Sequence, residues 1–175
     1  MTLFEPLERW AAETPDKEAV VYQDRRFTYA QYNQEVDRAA KALIGLGVER
    51  GDKVALYIPN HSEFLFCYLG CAKLGAVAVP VSWRFAPPEV SYVLGHSDAS
   101  AIIMETGFGG SDFIASFNAV RDGLPGMQRV VVIGGDEDVS RVKGAVSWED
   151  FLAGGEGKEE ELDKMKARVE EDDTA

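Results

Sequence analysis

Histidine and cysteine are scarce in this 175-residue sequence, which contains two of each. Cys67 and Cys71 lie four residues apart in a segment predicted to be a buried helix, and this spacing places both thiols on one face. They could form half of a metal site, but no cluster of His, Cys, Asp or Glu supplies the other ligands. We therefore predict buried, reduced, structural thiols and no metal.

Long hydrophobic runs are also missing. No segment approaches the roughly 20 apolar residues that are needed to span a bilayer. The first 30 residues include Glu5, Glu8 and Glu13 and lack an uncharged apolar run of the signal-peptide type. We expect a cytoplasmic protein without a transmembrane segment.

Basic residues are outnumbered by acidic ones, 18 to 30, which gives a formal net charge of −12. Such a charge opposes binding to phosphate backbones and to anionic lipid, so we expect no nucleic-acid partner. Apolar residues make up 46% of the chain, whose length suits one large domain or two small ones, so a substantial core can form.

Three sequence signatures of enzymes are absent. There is no G-x-x-x-x-G-K-[ST] phosphate loop and no G-x-S-x-G elbow, and neighbours such as His96, Ser97 and Asp98 do not have triad geometry. Gly107, Gly109 and Gly110 follow a predicted strand, but their spacing is not G-x-G-x-x-G, so we predict an ordinary loop there.

Strand and helix patterns alternate along most of the chain. Thr28 and Gln31 have capping-box spacing at the start of the clearest helix, and Pro59 ends a nearly unbroken apolar strand. We expect Ser62 to cap the next helix. The pattern predicts an α/β fold, mainly a parallel sheet flanked by helices. The predicted strands cover 18–23, 25–29, 54–58, 76–81, 100–105 and 129–135. Helices are predicted over 3–13 and 63–75, after Thr28 up to a stop at Gly45 and Gly47, from Pro87 and Pro88 onward, through Phe113, Ile114 and Phe117, and within 146–155.

The amino-acid composition changes after Gly135, where an acidic loop precedes a short helix that begins at Ser147. Residues 154–175 contain few apolar side chains that could be buried in a core. We therefore predict an α/β subdomain over residues 1–153 and an acidic tail or exposed helix over 154–175.

Trp83 and Arg84 follow the strand at 76–81 and should lie at the carboxyl edge of the sheet, where open parallel sheets bind ligands. An arginine there can meet a phosphate or carboxylate, and a tryptophan can form an apolar wall. The structural alternative is a salt bridge from Arg84 to Glu89 beside a partly buried indole. His61 has the same edge location, either as a site residue or simply at the entry of a helix.

Several short segments, in their order along the chain, resemble the amino-terminal region of adenylate-forming (AMP-binding) enzymes, and the likeness runs from about Leu3 to Phe151. It is nearest to fatty-acyl-CoA synthetases of the medium- or long-chain type. The segments are Thr28-Tyr29, Gly51-Asp52, Pro59-Asn60, Gly75-Ala76-Val77, Pro80 and "SWRFAPPEV".

The resemblance implies two-step chemistry. A fatty acid carboxylate attacks ATP to give an acyl-adenylate and pyrophosphate, and the thiol of coenzyme A then displaces AMP, with Mg²⁺ stabilising phosphate charge. The family's phosphate loop would be expected just after "DDTA", and the ATP site, the acyl pocket and the catalytic lysine would follow later. The resemblance thus implies an N-terminal part that is inactive alone, holds no catalytic residue and binds neither ATP nor CoA by itself.

In the complete enzyme, the resemblance makes Arg84 a candidate contact for a CoA phosphate and Trp83 a wall near the site. The expected partners are a small carboxylic acid, the remainder of the AMP-binding domain and the C-terminal domain, and a homo-oligomer is left open. We expect the isolated piece to associate or to be modestly stable because apolar surface is uncovered. Two alternatives remain, namely a flavodoxin-like binding module and a non-catalytic interaction protein derived from a ligase.

Overall fold

The computed structural model describes residues 1–173, which form alternating helices and strands. The last two residues of the predicted tail lie outside this range. The α-helices are α1 Glu5–Glu13, α2 Tyr29–Gly45, α3 Ser62–Leu74, α4 Pro87–His96, α5 Phe113–Asn118, α6 Asp136–Ser140, α7 Trp148–Ala153 and α8 Glu159–Lys166. The strands are β1 Glu18–Tyr22, β2 Arg25–Thr28, β3 Lys53–Tyr57, β4 Val77–Pro80, β5 Ala101–Glu105, β6 Gly107–Phe108, β7 Ser111–Asp112, β8 Arg129–Ile133 and β9 Val146–Ser147.

Five strands form one parallel sheet in the order β4-β3-β5-β8-β9. Strand β3 lies inside this sheet, and its four residues from Val54 to Tyr57 are fully buried. Two antiparallel hairpins, β1-β2 and β6-β7, lie outside it. The predicted fold class, a mainly parallel sheet flanked by helices, is confirmed.

Helices cover both faces of the sheet because side chains alternate along each buried strand. On β3, Leu56 packs into a cluster with residues of α2, α3, α7 and α8. The next residue, Tyr57, packs into a second cluster with residues of α4 and α5. A smaller cluster joins α1 to α2 and α3 through Leu7, Val36 and Phe66.

Local sequence signals set several helix boundaries as predicted. The Thr28 hydroxyl accepts a hydrogen bond from the Gln31 N–H at 3.3 Å, and the Thr28 N–H donates to the Gln31 side chain at 2.9 Å. This capping box begins α2, and Ser147 caps α7 through the Asp150 N–H at 3.0 Å. The prediction that Ser62 caps α3 is wrong. Ser62 is the first helical residue, His61 occupies the N-cap position, and the Ser62 hydroxyl donates to Glu63 at 2.9 Å instead.

Four elements were not predicted as such. The glycine loop after β5 is a hairpin formed by β6 and β7, the acidic stretch contains α6, and β9 extends the sheet by one strand. Within the predicted tail, Leu162 of α8 is buried in the main core and Met165 packs against it. The division of the chain after residue 153 remains a prediction.

The two cysteines lie where the sequence places them. Cys67 and Cys71 are fully buried free thiols in α3, in the core cluster shared by α2 and α8. Burial raises the pKa of both thiols, that of Cys71 to about 12. Both side chains are therefore held in the neutral form. In the part of the chain that the structure describes, no helix is long and apolar enough to cross a membrane.

A fully buried lysine connects three helices. The Lys73 ammonium of α3 donates to Glu8 of α1 at 2.9 Å, and to Asn33 and Asp37 of α2 at 2.8 and 2.6 Å. Glu8 also pairs with Lys166 of α8. Two cations and two carboxylates thus alternate in a network beneath the N-terminal helix.

This network predicts acid sensitivity. Burial, the largest single influence on Glu8, raises its pKa, but hydrogen bonds from Lys166 and Lys73 outweigh it and bring the pKa below the ordinary value of 4.5. A carboxylate with a lowered folded-state pKa contributes stability above its unfolded pKa, and this contribution is lost as the pH falls through the folded value. Urea unfolding between about pH 7 and pH 3 should therefore show a smaller acid loss of stability in Glu8→Gln than in the parent. Exposed Glu13 provides the control variant Glu13→Gln, and an identical pH dependence in parent and Glu8→Gln would contradict the prediction.

Candidate active-site edge

The carboxyl ends of β4, β3 and β5 meet at one edge of the sheet, because these three strands are parallel neighbours. The chain leaves β4 toward Trp83 and Arg84, and it leaves β3 toward His61. Strand β5 ends at Glu105, and the β6-β7 hairpin follows directly. The edge predicted from the sequence thus brings together residues from distant segments.

Trp83 and Arg84 form a stacked pair. The Arg84 guanidinium lies over the Trp83 ring, 4.6 Å from its centroid, a cation–π arrangement. Trp83 is partly buried and Arg84 is exposed. Within residues 1–173, Arg84 makes no ion pair, and Glu89 bonds to the Ala86 N–H at 2.9 Å, so the alternative of an Arg84–Glu89 salt bridge is wrong.

The β6-β7 hairpin packs against this pair. Phe108 at its tip meets the Trp83 ring edge to face, with centroids 5.2 Å apart and an interplanar angle of 81°. Gly109 has φ +59°, and a Cβ there would lie 3.0 Å from Cζ3 of Trp83. The glycine therefore serves both the turn and the close approach to the indole.

His61 and Glu105 form a hydrogen-bonded pair that joins the ends of β3 and β5. The His61 Nδ1 contacts Glu105 Oε1, and both side chains are mostly buried. Burial is the main cause that raises the pKa of Glu105, nearby Glu63 adds to it, and His61 opposes it. The imidazole also faces Tyr22 at 5.0 Å and Phe108 at 6.5 Å between ring centroids.

A second carboxylate lies beside this pair. Glu63, at the start of α3, accepts a hydrogen bond from Arg25 of β2 at 2.5 Å. Burial is again the largest single influence and raises the pKa of Glu63, but the hydrogen bonds from Arg25, the backbone and Ser62 together outweigh it, so the pKa is lowered overall. Glu63 is thus the charged partner of Arg25 and ties the β1-β2 hairpin to α3.

The edge supplies a candidate anion contact but no metal ligands. In residues 1–173 no group of three or more His, Cys, Asp or Glu side chains could hold a metal ion. Arg84 differs, because its guanidinium is exposed and stacked without a carboxylate partner in the described chain, which suits a phosphate oxygen.

The sequence located part of this edge. It predicted Trp83, Arg84 and His61 at the strand ends, but it missed Glu105, Phe108 and Tyr22. The sequence pattern could have placed Glu105 at the edge, because it is the last residue of a buried strand. Its pairing with a histidine 44 residues away depends on the order of the strands in the sheet.

With the fold and edge described, comparison with known proteins defines the class. The family model described as "AMP-binding enzyme" matches residues 7–175. The chain therefore belongs to the AMP-binding enzyme family, which confirms the resemblance to the N-terminal part of adenylate-forming enzymes.

Particular relatives are CoA ligases. The chain is 50% identical over 80 residues to the long-chain-fatty-acid–CoA ligase FadD13 of Mycobacterium tuberculosis, a match that covers 46% of the chain and 16% of the relative. Its fold is similar to the anthranilate CoA ligase AuaEII in complex with anthranoyl-AMP, with 29% identity, a TM-score of 0.77 and coverage of 87% and 28%. It is also similar to the N-terminal domain of FACL13 from Mycobacterium tuberculosis, with 30% identity, a TM-score of 0.62 and coverage of 100% and 38%. The chain spans less than a third of the length of the curated relatives it matches.

Proposed function

We propose that this chain is the N-terminal subdomain of an ATP-dependent acid–thiol ligase that makes acyl-CoA from a medium- or long-chain fatty acid. The carboxylate displaces pyrophosphate from ATP, and the CoA thiol then displaces AMP from the acyl-adenylate. The observation that carries the proposal is the family match over residues 7–175, supported by the 50% identity over 80 residues to a long-chain-fatty-acid–CoA ligase.

The chain's own contribution is structural and positional. It provides a parallel sheet whose carboxyl edge presents Arg84 and Trp83, and we assign no catalytic residue to it. The remainder of the AMP-binding domain and the C-terminal domain are its proposed partners, with ATP, CoA and Mg²⁺ used by the complete enzyme. The isolated chain is expected to be inactive and to hold none of these molecules.

Activity measurements on the complete reading frame that contains this sequence test the proposal. We expect fatty-acid-dependent exchange of pyrophosphate into ATP, and acyl-CoA formation once CoA is added, whereas residues 1–175 alone should give neither. The frame should continue into a Ser/Thr/Gly-rich segment with a lysine. A complete protein that activates no carboxylic acid would contradict the proposed function.

Arg84 is the proposed contact for a CoA phosphate, and Trp83 is the proposed wall beside it. The guanidinium is exposed, and in the described chain it forms no ion pair with a carboxylate. Its planar fork can donate two parallel hydrogen bonds to phosphate oxygens. The indole under it restricts the orientation of the fork, so less freedom is lost on binding.

In the complete enzyme, Arg84→Ala should raise the KM for CoA by roughly 10- to 150-fold, since a charge-assisted hydrogen bond contributes about 1.5–3 kcal/mol. The pyrophosphate exchange of the first step should be unchanged because CoA takes no part in it. Arg9 supplies a matched control, since its guanidinium also lies over a tryptophan, Trp10, at 5.4 Å but on α1. Unchanged CoA kinetics in Arg84→Ala would return Arg84 to a structural role.

A further inference from the structure

We propose that the His61–Glu105 pair is a positioning device for Arg84, acting through Phe108 and Trp83. This inference rests on the proposed function, because it assigns a role toward the same CoA phosphate. The four side chains Arg84, Trp83, Phe108 and His61 are called the aromatic ladder below. Each member contacts the next, and the ladder ends on Glu105.

The fixed end of the ladder is His61. Its ring is held by the hydrogen bond between Nδ1 and Glu105 and by the Tyr22 ring on one side, and the side chain is 23% exposed. Glu105 is the last residue of β5, and His61 is the N-cap residue of α3, four residues after the end of β3. The position of the imidazole is therefore determined by the core of the sheet.

The contact between His61 and Phe108 holds the tip of the β6-β7 hairpin against the imidazole. Phe108 meets the His61 ring edge to face at 90°, and it meets the Trp83 ring edge to face at 81°. Strands β6 and β7 contain two residues each, and a two-stranded ribbon of that size is not stable on its own. Phe108 is 46% exposed, and His61 and Trp83 are the two rings that its side chain meets in the described chain.

The last contact is the one that matters for the ligand. Arg84 has a long, flexible side chain, and in residues 1–173 its guanidinium is held by the Trp83 ring without any ion pair. Trp83 in turn is held on its open side by Phe108 and by the close approach of Gly109. Loss of His61 should free Phe108, then Trp83, and finally the guanidinium, which raises the entropic cost of binding a phosphate.

A double-mutant cycle in the complete enzyme tests this role. We expect His61→Ala to raise the KM for CoA by about threefold to tenfold, the factor expected for ordering one long side chain, with pyrophosphate exchange retained. In the Arg84→Ala background, His61→Ala should have no further effect on that KM, because the group it positions is gone. A residue with a merely structural role would lower activity equally in both backgrounds.

Further variants test the same role if His61→Ala folds poorly. Phe108→Ala removes an exposed ring and should reproduce the rise in KM. Glu105→Gln keeps a side-chain amide that can hydrogen-bond to Nδ1, so its KM for CoA should stay near the parent value. The control is His96→Ala, because His96 is also stacked on a tyrosine, Tyr92, at 5.2 Å, but it lies at the end of α4 outside the ladder.

The outcomes separate the two proposals. If Arg84→Ala raises the KM for CoA but His61→Ala and Phe108→Ala do not, the positioning role is overturned and the proposed function stands. Equal effects of His61→Ala in both backgrounds also overturn it. If Arg84→Ala itself changes nothing, the proposed phosphate contact fails, and the positioning role fails with it.

Discussion

Replacement of Lys73 by alanine is expected to lower the free energy of unfolding by about 3 kcal/mol, near the lower end of the range for breaking a buried ion pair. The ammonium is fully buried and donates to Glu8, Asn33 and Asp37. Without it, Asp37 loses its described cation, Glu8 retains only Lys166, and a cavity replaces the side chain. The two carboxylates retain 30% and 33% exposure, so water relieves part of the cost.

Urea unfolding at neutral pH measures this effect, with Lys164→Ala as the control. Lys164 makes a helical ion pair with Glu160 at 2.6 Å, but it is 61% exposed, so its removal should change stability little. If both variants unfold at the same urea concentration as the parent, the Lys73 network does not stabilise the fold.

A second large effect is expected for Gly45→Ala. A Cβ at Gly45 would lie 2.0 Å from the carbonyl oxygen of Gly154, and a Cβ at Gly155 would lie 2.6 Å from the Ala42 nitrogen. Both contacts involve backbone atoms, which cannot rotate away as a flexible side chain would. The end of α2 and the segment after α7 must then separate, which should cost at least the roughly 1–3 kcal/mol that is typical of overpacked sites.

Gly126→Ala is the matched control for Gly45→Ala, because no atom lies within 4 Å of the added Cβ and φ is negative. It should leave the thermal midpoint unchanged or raise it slightly, since alanine restricts the unfolded chain. A Gly45→Ala midpoint equal to that of the parent would show that the two segments do not touch in solution.

Much of the fold could be predicted because its signals are local. The capping box of Thr28 and Gln31, the apolar run of β3 and the prolines at 87 and 88 each involve only a few neighbouring residues. Gly45 shows the limit of such signals. The sequence suggests a helix stop, whereas the structure adds a close backbone contact with Gly154, more than 100 residues later.

The parts that could not be predicted depend on contacts between distant segments. Strand β9 has two residues, too few for a period-two pattern, and it is defined only by pairing with β8. Ser62 has the chemistry of a cap, but the chain enters α3 one residue earlier than that role needs. The His61–Glu105 pair required the order of β3 and β5 in the sheet, which alternation alone does not provide.

The shared position of Glu8 has a consequence for synthesis on the ribosome. Its first partner, Lys73, is translated while the central sheet is incomplete, and its second, Lys166, is translated near the end of the described chain. The Glu8–Lys73 ion pair can therefore form in a nascent chain before Lys166 is translated. The Lys166 contact can form only after β8 and β9 have been made, because Lys166 follows both strands in the chain.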